Sequence, residues 1–162
     1  MPIRFATPDD IPALVELGRR MHAITRFRCY SYDEARVAAA LRKILGERSR
    51  YACFVAEGAG GAIAGALIAV LERHIFSEAL VASVMHFDVL PEKRMGGYAV
   101  KLLVALERWA ANRNAAEIAL GVNSALNGDA ITTFAQRIGF SHVGGNYVRR
   151  LTGSHARKPT RN

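Results

Sequence analysis

Cysteine is scarce in this chain. Cys29 and Cys53 are its only two, in neither CxxC spacing nor the company of a histidine cluster, which excludes a disulfide scaffold and argues against a thiolate metal site or a redox pair. Both read as reduced, structural residues, and no metal site is expected. Long apolar runs are missing too: none approaches the roughly 20 residues that span a bilayer. The opening MPIRFATPDD carries two prolines and two aspartates where a secretory leader needs an uninterrupted apolar stretch. A cytoplasmic protein without a membrane partner is the expectation. Two phosphate-binding signatures are also absent, G-x-x-x-x-G-K-[ST] for nucleoside triphosphates and G-x-G-x-x-G for dinucleotides.

What is present is a chain of 162 residues, 51% hydrophobic and 22% charged, enough for one globular domain to bury its own core. Its formal charge of +8 favours acidic partners, phosphate-bearing cofactors among them. Arg149, Arg150, Arg157, Lys158 and Arg161 crowd the terminal RRLTGSHARKPTRN, while the other cations are scattered as on solvated faces. No arginine stripe alternates with aromatic residues, so nucleic acid is not the expected partner. The domain is expected over residues 1–152, with a basic, mobile tail over 153–162.

Along the chain, PIRFA alternates briefly as a first strand. Thr7, Pro8 and the two aspartates after them then signal a helix start, with Ile11, Leu14, Val15, Gly18 and Met21 on one helical face. A capping box from Ser31 to Glu34 predicts a second helix. YACFVAE (51–57) and AIAGALIAVLE (62–72), separated by GAGG, predict a hairpin. Residues 79–90 are apolar on both sides of the pleat except at Ser83, His86 and Asp88, as in a central strand covered twice. A helix over 98–112, with Trp109 on its core face, and a strand at AAEIALGV (115–122) complete a parallel strand–helix–strand unit joined right-handedly. A final helix from about 129 to 137 stops at Gly139, and FSHVGGNYVRRL supplies a last strand or hairpin. The order predicts an α/β fold: a mixed sheet of about six strands flanked by about four helices.

The segment PEKRMGGYAV, at the junction of the central strand and its helix, is the most informative. Arg94, Gly97 and Ala99 stand as R-x-x-G-x-A, and the first amides of a helix are unpaired donors at the positive end of its dipole. Gly96 and Gly97 admit an anion to the main chain, and a pyrophosphate would fit. A plain glycine-rich turn is the competing reading of the spacing alone.

VLPEKRMGGYAVKLLVALERWA resembles the acyl-CoA-binding segment of the GCN5-related N-acetyltransferases, V-x-P-E-x-[QR]-x-x-G-x-[GA], at Val89, Pro91, Glu92, Arg94, Gly97 and Ala99. The element order over residues 2–150 and the RIGF ending of the last helix agree with that family. The resemblance implies a single-domain fold with splayed parallel central strands. It also implies transfer of an acetyl group from acetyl-CoA to an amine, releasing coenzyme A. The amides of Met95, Gly96, Gly97, Tyr98 and Ala99, with Arg94 beside them, would hold the pyrophosphate. The main chain at Phe87 and Val89 would pair with the pantetheine arm, and Asn127 could contact coenzyme A.

The match fails where chemistry is needed. An amine of pKa near 10.4 is only about 0.1% neutral near physiological pH, so a base helps. Many relatives carry a glutamate on the strand before the loop, whereas this chain has Ser83 and Val81 at the corresponding places. Ser83, His86 and Asp88 are the catalytic candidates, although His86 and Asp88 alternate to the face opposite Ser83 and Val89 unless a bulge intervenes. The family's acidic tyrosine falls on Phe134 or Ala135, neither of which has a hydroxyl. Tyr30, Tyr32, His74 and Glu78 are candidates for the acceptor side. A small-molecule or peptide amine is the expected acceptor and a homodimer an open possibility; a non-catalytic acyl-CoA-binding module is the alternative function.

Overall fold

The hydrophobic run from Tyr51 to Arg73 folds back on itself and sets the middle of the sheet. In the computed structural model, which describes residues 2–122, 124 and 128–149, it forms strands β2 (Tyr51–Glu57) and β3 (Ile63–Arg73), paired antiparallel. A short edge strand, β1 (Ile3–Phe5), pairs antiparallel with β2. Strand β4 (Leu80–Val89) returns antiparallel beside β3. Helix α3 (Tyr98–Asn112) crosses over to β5 (Ala115–Leu120), which lies parallel to β4. The sheet order is β1-β2-β3-β4-β5.

Before the hairpin come α1 (Ile11–Ile24) and α2 (Glu34–Gly46), and after β5 comes α4 (Gly128–Arg137). The apolar periodicity sorts these helices onto opposite faces of the sheet. On one face Leu102, Leu103, Leu106 and Trp109 of α3 pack on Phe54, Leu67, Ala82 and Val89, with Phe134, Ile138 and Phe140 alongside. On the other, Leu14, Leu17 and Met21 of α1 and Leu41 of α2 pack on Cys53, Val55, Ala66 and Ile68. Burial among apolar neighbours pushes the Cys53 thiol up to about 12, which keeps it protonated and inert.

Arg4 and Asp10 pin α1 to the sheet. The Arg4 guanidinium donates to both carboxylate oxygens of Asp10 at 2.7 and 2.8 Å, and its Nε donates to Glu57 at 2.6 Å. Asp10 also accepts from the Thr7 amide at 2.7 Å. The Arg4 partnership holds the Asp10 carboxyl down at about 2, against the opposing effect of burial.

Three expectations need correction. The cap of α2 is Asp33, whose carboxylate accepts from the Arg36 amide at 3.0 Å, so the helix starts after Asp33 and Ser31 is not its cap. A tight turn at Pro8–Asp10 precedes α1, which begins at Ile11. The sheet has five strands rather than about six among the described residues, because 141–149 run without strand pairing. The adjacent Gly144 and Gly145 supply no side chains to pack there, which weakens a strand. Residues 150 and 151 of that expected strand, and the tail over 153–162, lie outside the described residues.

Candidate functional site

The site is built where β4 and β5 part. Their parallel pairing runs from Leu80 opposite Ala115 to Val84 opposite Leu120 and then ends. Beyond Val84, β4 continues to Val89 beside β3 alone among the described strands, so its outer edge faces a cleft with main-chain donors and acceptors to spare. This is the splay that the resemblance implied.

A bulge occurs at the same point. Ile68 of β3 stands opposite His86, yet its neighbour Ala69 stands opposite Val84, leaving Met85 as the extra residue. One extra residue reverses the in-and-out alternation of every residue after it. Ala82, Val84, Phe87 and Val89 therefore share the α3 face of the sheet. The bulge that sequence reasoning named as the condition is present, and Ser83, His86 and Asp88 come together on the α1 face. Asp88 lies across from Ala66 and His86 across from Ile68, both members of the α1-side core.

Of the three candidates, Asp88 has the most distinctive surroundings. The residue is half-buried, and no hydrogen bond or ion pair reaches its carboxylate among the described residues. Burial pushes its pKa up, while His86 and Arg94 pull it down less strongly. A carboxylate kept without a partner is costly unless something else uses it. His86 is exposed and Ser83 half-buried.

At the end of β4 the chain makes a tight 3-10 turn over Pro91–Gly96, then enters α3 through Gly97, whose φ of 73° lies in the left-handed region. The two glycines serve different ends. Gly97 meets the backbone requirement in open space, whereas a Cβ on Gly96 would come within 2.8 Å of the Tyr98 ring, which is buried in the α3-side core. The first bond of α3 runs from the Lys101 amide to the Gly97 carbonyl at 3.2 Å, leaving the amides of Tyr98, Ala99 and Val100 without α-helical acceptors. Of the expected Met95–Ala99 set, Tyr98 and Ala99 thus lie on the first turn of α3, while Met95 and Gly96 belong to the preceding turn. Arg94 folds back so that its Nε donates to the Val89 carbonyl at 3.3 Å. Phe87 and Val89 commit their side chains to the core and leave their main chain at the cleft edge.

The acceptor candidates separate. After α1 a short turn, Arg26–Cys29, reaches across toward the end of β5, its Arg26 amide donating to the Ser124 carbonyl at 3.1 Å. Tyr30, 44% exposed, follows this crossing. The Tyr32 hydroxyl instead donates to the Val15 carbonyl of α1 at 2.7 Å. His74 and Glu78 sit at the β3–β4 hairpin tip, where Glu78 pairs with Arg73 and the His74 ring meets Phe76. About 20 Å of strand separates that tip from the bulge, so the structure does not bring them to the site. Asn127 lies outside the described residues.

Solved acetyltransferases share the fold of this chain. The aminoglycoside enzyme AAC(6')-Iy, solved with the bisubstrate analogue CoA-S-monomethyl-acetylneamine, matches with TM-score 0.76 at 20% identity over 94% of this chain and 98% of its own. AAC(6')-IG from Acinetobacter haemolyticus matches with TM-score 0.70 at 20% identity over 95% and 99%. A ribosomal-protein-alanine N-acetyltransferase from Brucella melitensis biovar Abortus 2308 matches with TM-score 0.68 at 17% identity over 93% and 100%. The chain belongs to the GNAT family of acetyltransferases, whose family model matches residues 18–140. Among curated proteins, none matches the sequence. No helix among the described residues is long and apolar enough to cross a membrane.

Proposed function

We propose that this protein transfers an acetyl group from acetyl-CoA to a primary amine by direct attack in a ternary complex. One observation carries the reading: the pairing of β4 with β5 ends at the bulge, so a free main-chain edge, a half-buried carboxylate and a helix start lie along one opening. Acetyl-CoA, when bound, supplies the acyl group as an activated thioester.

Each part of the chain has a task. The amides at the start of α3, Tyr98 and Ala99 with Val100, receive the pyrophosphate, helped by the positive helix end and by Arg94. Met95, Gly96 and Gly97 shape the approach, and the β4 edge from Met85 to Val89, including Phe87, pairs with the pantetheine amides. Asp88 takes a proton from the bound ammonium, with His86 and Ser83 beside it on the strand. Transfer forms the amide C–N bond and breaks the thioester C–S bond. One ammonium proton passes to Asp88 and then to solvent, and the second nitrogen proton leaves with the sulfur as a thiol. Phe134 supplies no hydroxyl acid, and a coenzyme A thiolate leaves tolerably without one. Orientation in the cleft supplies much of the acceleration.

Calorimetric titration with acetyl-CoA tests the reading. The wild type should bind saturably. Gly97→Asn keeps a residue that tolerates the left-handed region and should bind nearly as well, while Gly97→Asp adds a negative charge at the anion site and should bind at least tenfold more weakly. No binding by folded wild type would reject the cofactor site. Binding without transfer to any amine would favour the non-catalytic acyl-CoA module.

A further inference from the structure

At the sheet edge away from the opening, β1 and α3 border a groove of about 520 Å³, in the size range of ligand clefts. Ile3, Phe5 and Phe54 line its sheet side, the two phenylalanine rings 4.6 Å apart. Lys101, Val104 and Arg108 line its helix side, at positions three and seven apart that share one helix face. Two turns of helix set the two cations about 10 Å apart along the axis. Both are exposed, and neither side chain has a hydrogen-bond or ion-pair partner among the described residues. Glu107, the only acid on α3, does not line the groove. Phe5 and Val104 remain 47% and 39% exposed, so an apolar floor lies beside a positive wall.

The strand edge beside the groove is also unpaired among the described residues. β1 bonds to β2 through its even-numbered neighbours: the Ala6 amide donates to the Cys53 carbonyl at 2.8 Å, and the Glu57 amide donates to the Pro2 carbonyl at 3.1 Å. With Ile3 opposite Ala56 and Phe5 opposite Phe54, antiparallel alternation turns the main chain of Ile3 and Phe5 outward. The Arg4 guanidinium donates to the Phe5 carbonyl at 3.1 Å, which leaves the Ile3 amide and carbonyl and the Phe5 amide for a further strand. We propose that this groove docks an extended acidic segment of a partner protein, with its main chain beside β1, an apolar side chain over Phe5, and carboxylates on Lys101 and Arg108. Charge sign decides the occupant. A second copy paired β1 to β1 would bring its own Lys101 and Arg108 to the same place, and the terminal residues of this chain carry Arg157, Lys158 and Arg161; both would be repelled. Strands β2 and β3 lie between the groove and β4, so the docking site is separate from the cofactor opening.

The probe is a fluorescein-labelled peptide, ETFTE, whose glutamates and phenylalanine share one face of a strand, with KTFTK as the charge-reversed control. Fluorescence anisotropy at low salt should give a dissociation constant at least tenfold smaller for ETFTE, and that advantage should shrink in about 0.5 M salt, as exposed charge pairing requires. Because the helix start at the cofactor opening also favours anions, the titration is repeated with saturating coenzyme A, which should leave it unchanged. The double variant Lys101→Glu with Arg108→Glu should reverse the preference, and Val104→Glu should weaken ETFTE binding at least tenfold. Thermal melting by circular dichroism verifies that both variants are folded. ETFTE binding no tighter than KTFTK, its displacement by coenzyme A, or a preference that the double variant leaves unaltered would each overturn the docking site. Dimerisation of the wild type in sedimentation, lost in Val104→Glu, would give the groove to a second copy and overturn the acidic partner.

Discussion

The Arg4–Asp10 pair should make the stability of this protein depend on acid in a defined window. Asp10 is 9% exposed and accepts two hydrogen bonds from Arg4 and one from the Thr7 amide, which lower its carboxyl pKa from 3.8 to about 2. At 1.36 kcal/mol for each pH unit, that depression is worth roughly 2 kcal/mol. The sign follows from proton binding. Between the two pKa values the unfolded chain binds the proton and the native one does not, so stability rises with pH across that interval. The contribution is complete above the unfolded value near 4 and is lost as pH falls through about 2. Asp10→Asn should therefore lower the melting temperature at pH 7 by about 4–8 °C for a domain of this size, with the gap to wild type closing toward pH 2. Thermal unfolding followed by circular dichroism across pH 2–7 reads both curves. A gap that persists undiminished at pH 2 would mean that Asp10 acts through packing or side-chain shape, and the ion-pair account would fail.

Asp88→Asn should cut transfer at least 100-fold and abolish the acid limb of the pH–rate profile while leaving acetyl-CoA affinity unchanged; an unaltered limb would assign the base elsewhere. Since burial raises the Asp88 pKa, ionising it costs native stability above that pKa, and the same variant should melt higher than wild type at neutral pH. Gly65→Ala puts a Cβ 2.7 Å from the Asp88 carbonyl oxygen and 3.0 Å from a Val89 methyl, so it should cost about 1–3 kcal/mol and weaken acetyl-CoA binding by displacing the cleft edge. Retained affinity in a stably folded Gly65→Ala protein would show that this edge tolerates displacement.

Much of the fold is legible in the sequence because its strongest signals are local. The hairpin of 51–73 needs only two apolar runs and a glycine turn, and α3 follows from a five-residue apolar stripe that ends in Trp109. Cap assignments are less secure, because Ser31 and Asp33 are both good capping residues and only the fold decides between them. Asp33 takes the position while Tyr32 turns toward α1 and donates to Val15. The last strand was overread for a similar reason: Val143, Tyr147 and Val148 have strand character, yet they are 97%, 97% and 57% exposed, flanking or following two glycines. Pairing depends on a partner edge that a strand's own sequence does not describe.

The site divides along the same line. The proposed anion-binding junction is written in consecutive residues, so its spacing alone could be read, and the structure adds that the amides without α-helical acceptors are those of Tyr98, Ala99 and Val100. The candidate catalytic face is not written that way. Strict alternation from Leu80 to Val89 separates Ser83 from His86 and Asp88, and nothing in VMHFDV announces that Met85 is supernumerary. The skip becomes visible only when Ile68 and Ala69 of the neighbouring strand are found opposite His86 and Val84. That one residue coincides with the end of the pairing of β4 with β5 and turns Asp88 from the α3 core toward the α1 face. Had the strand continued in register, Asp88 would share a face with Ala82 and Val84 against α3, where an unpaired carboxylate would oppose folding. The bulge thus makes an aspartate tolerable at the end of a core strand, because it places Asp88 opposite Ala66 on the α1 face rather than against α3.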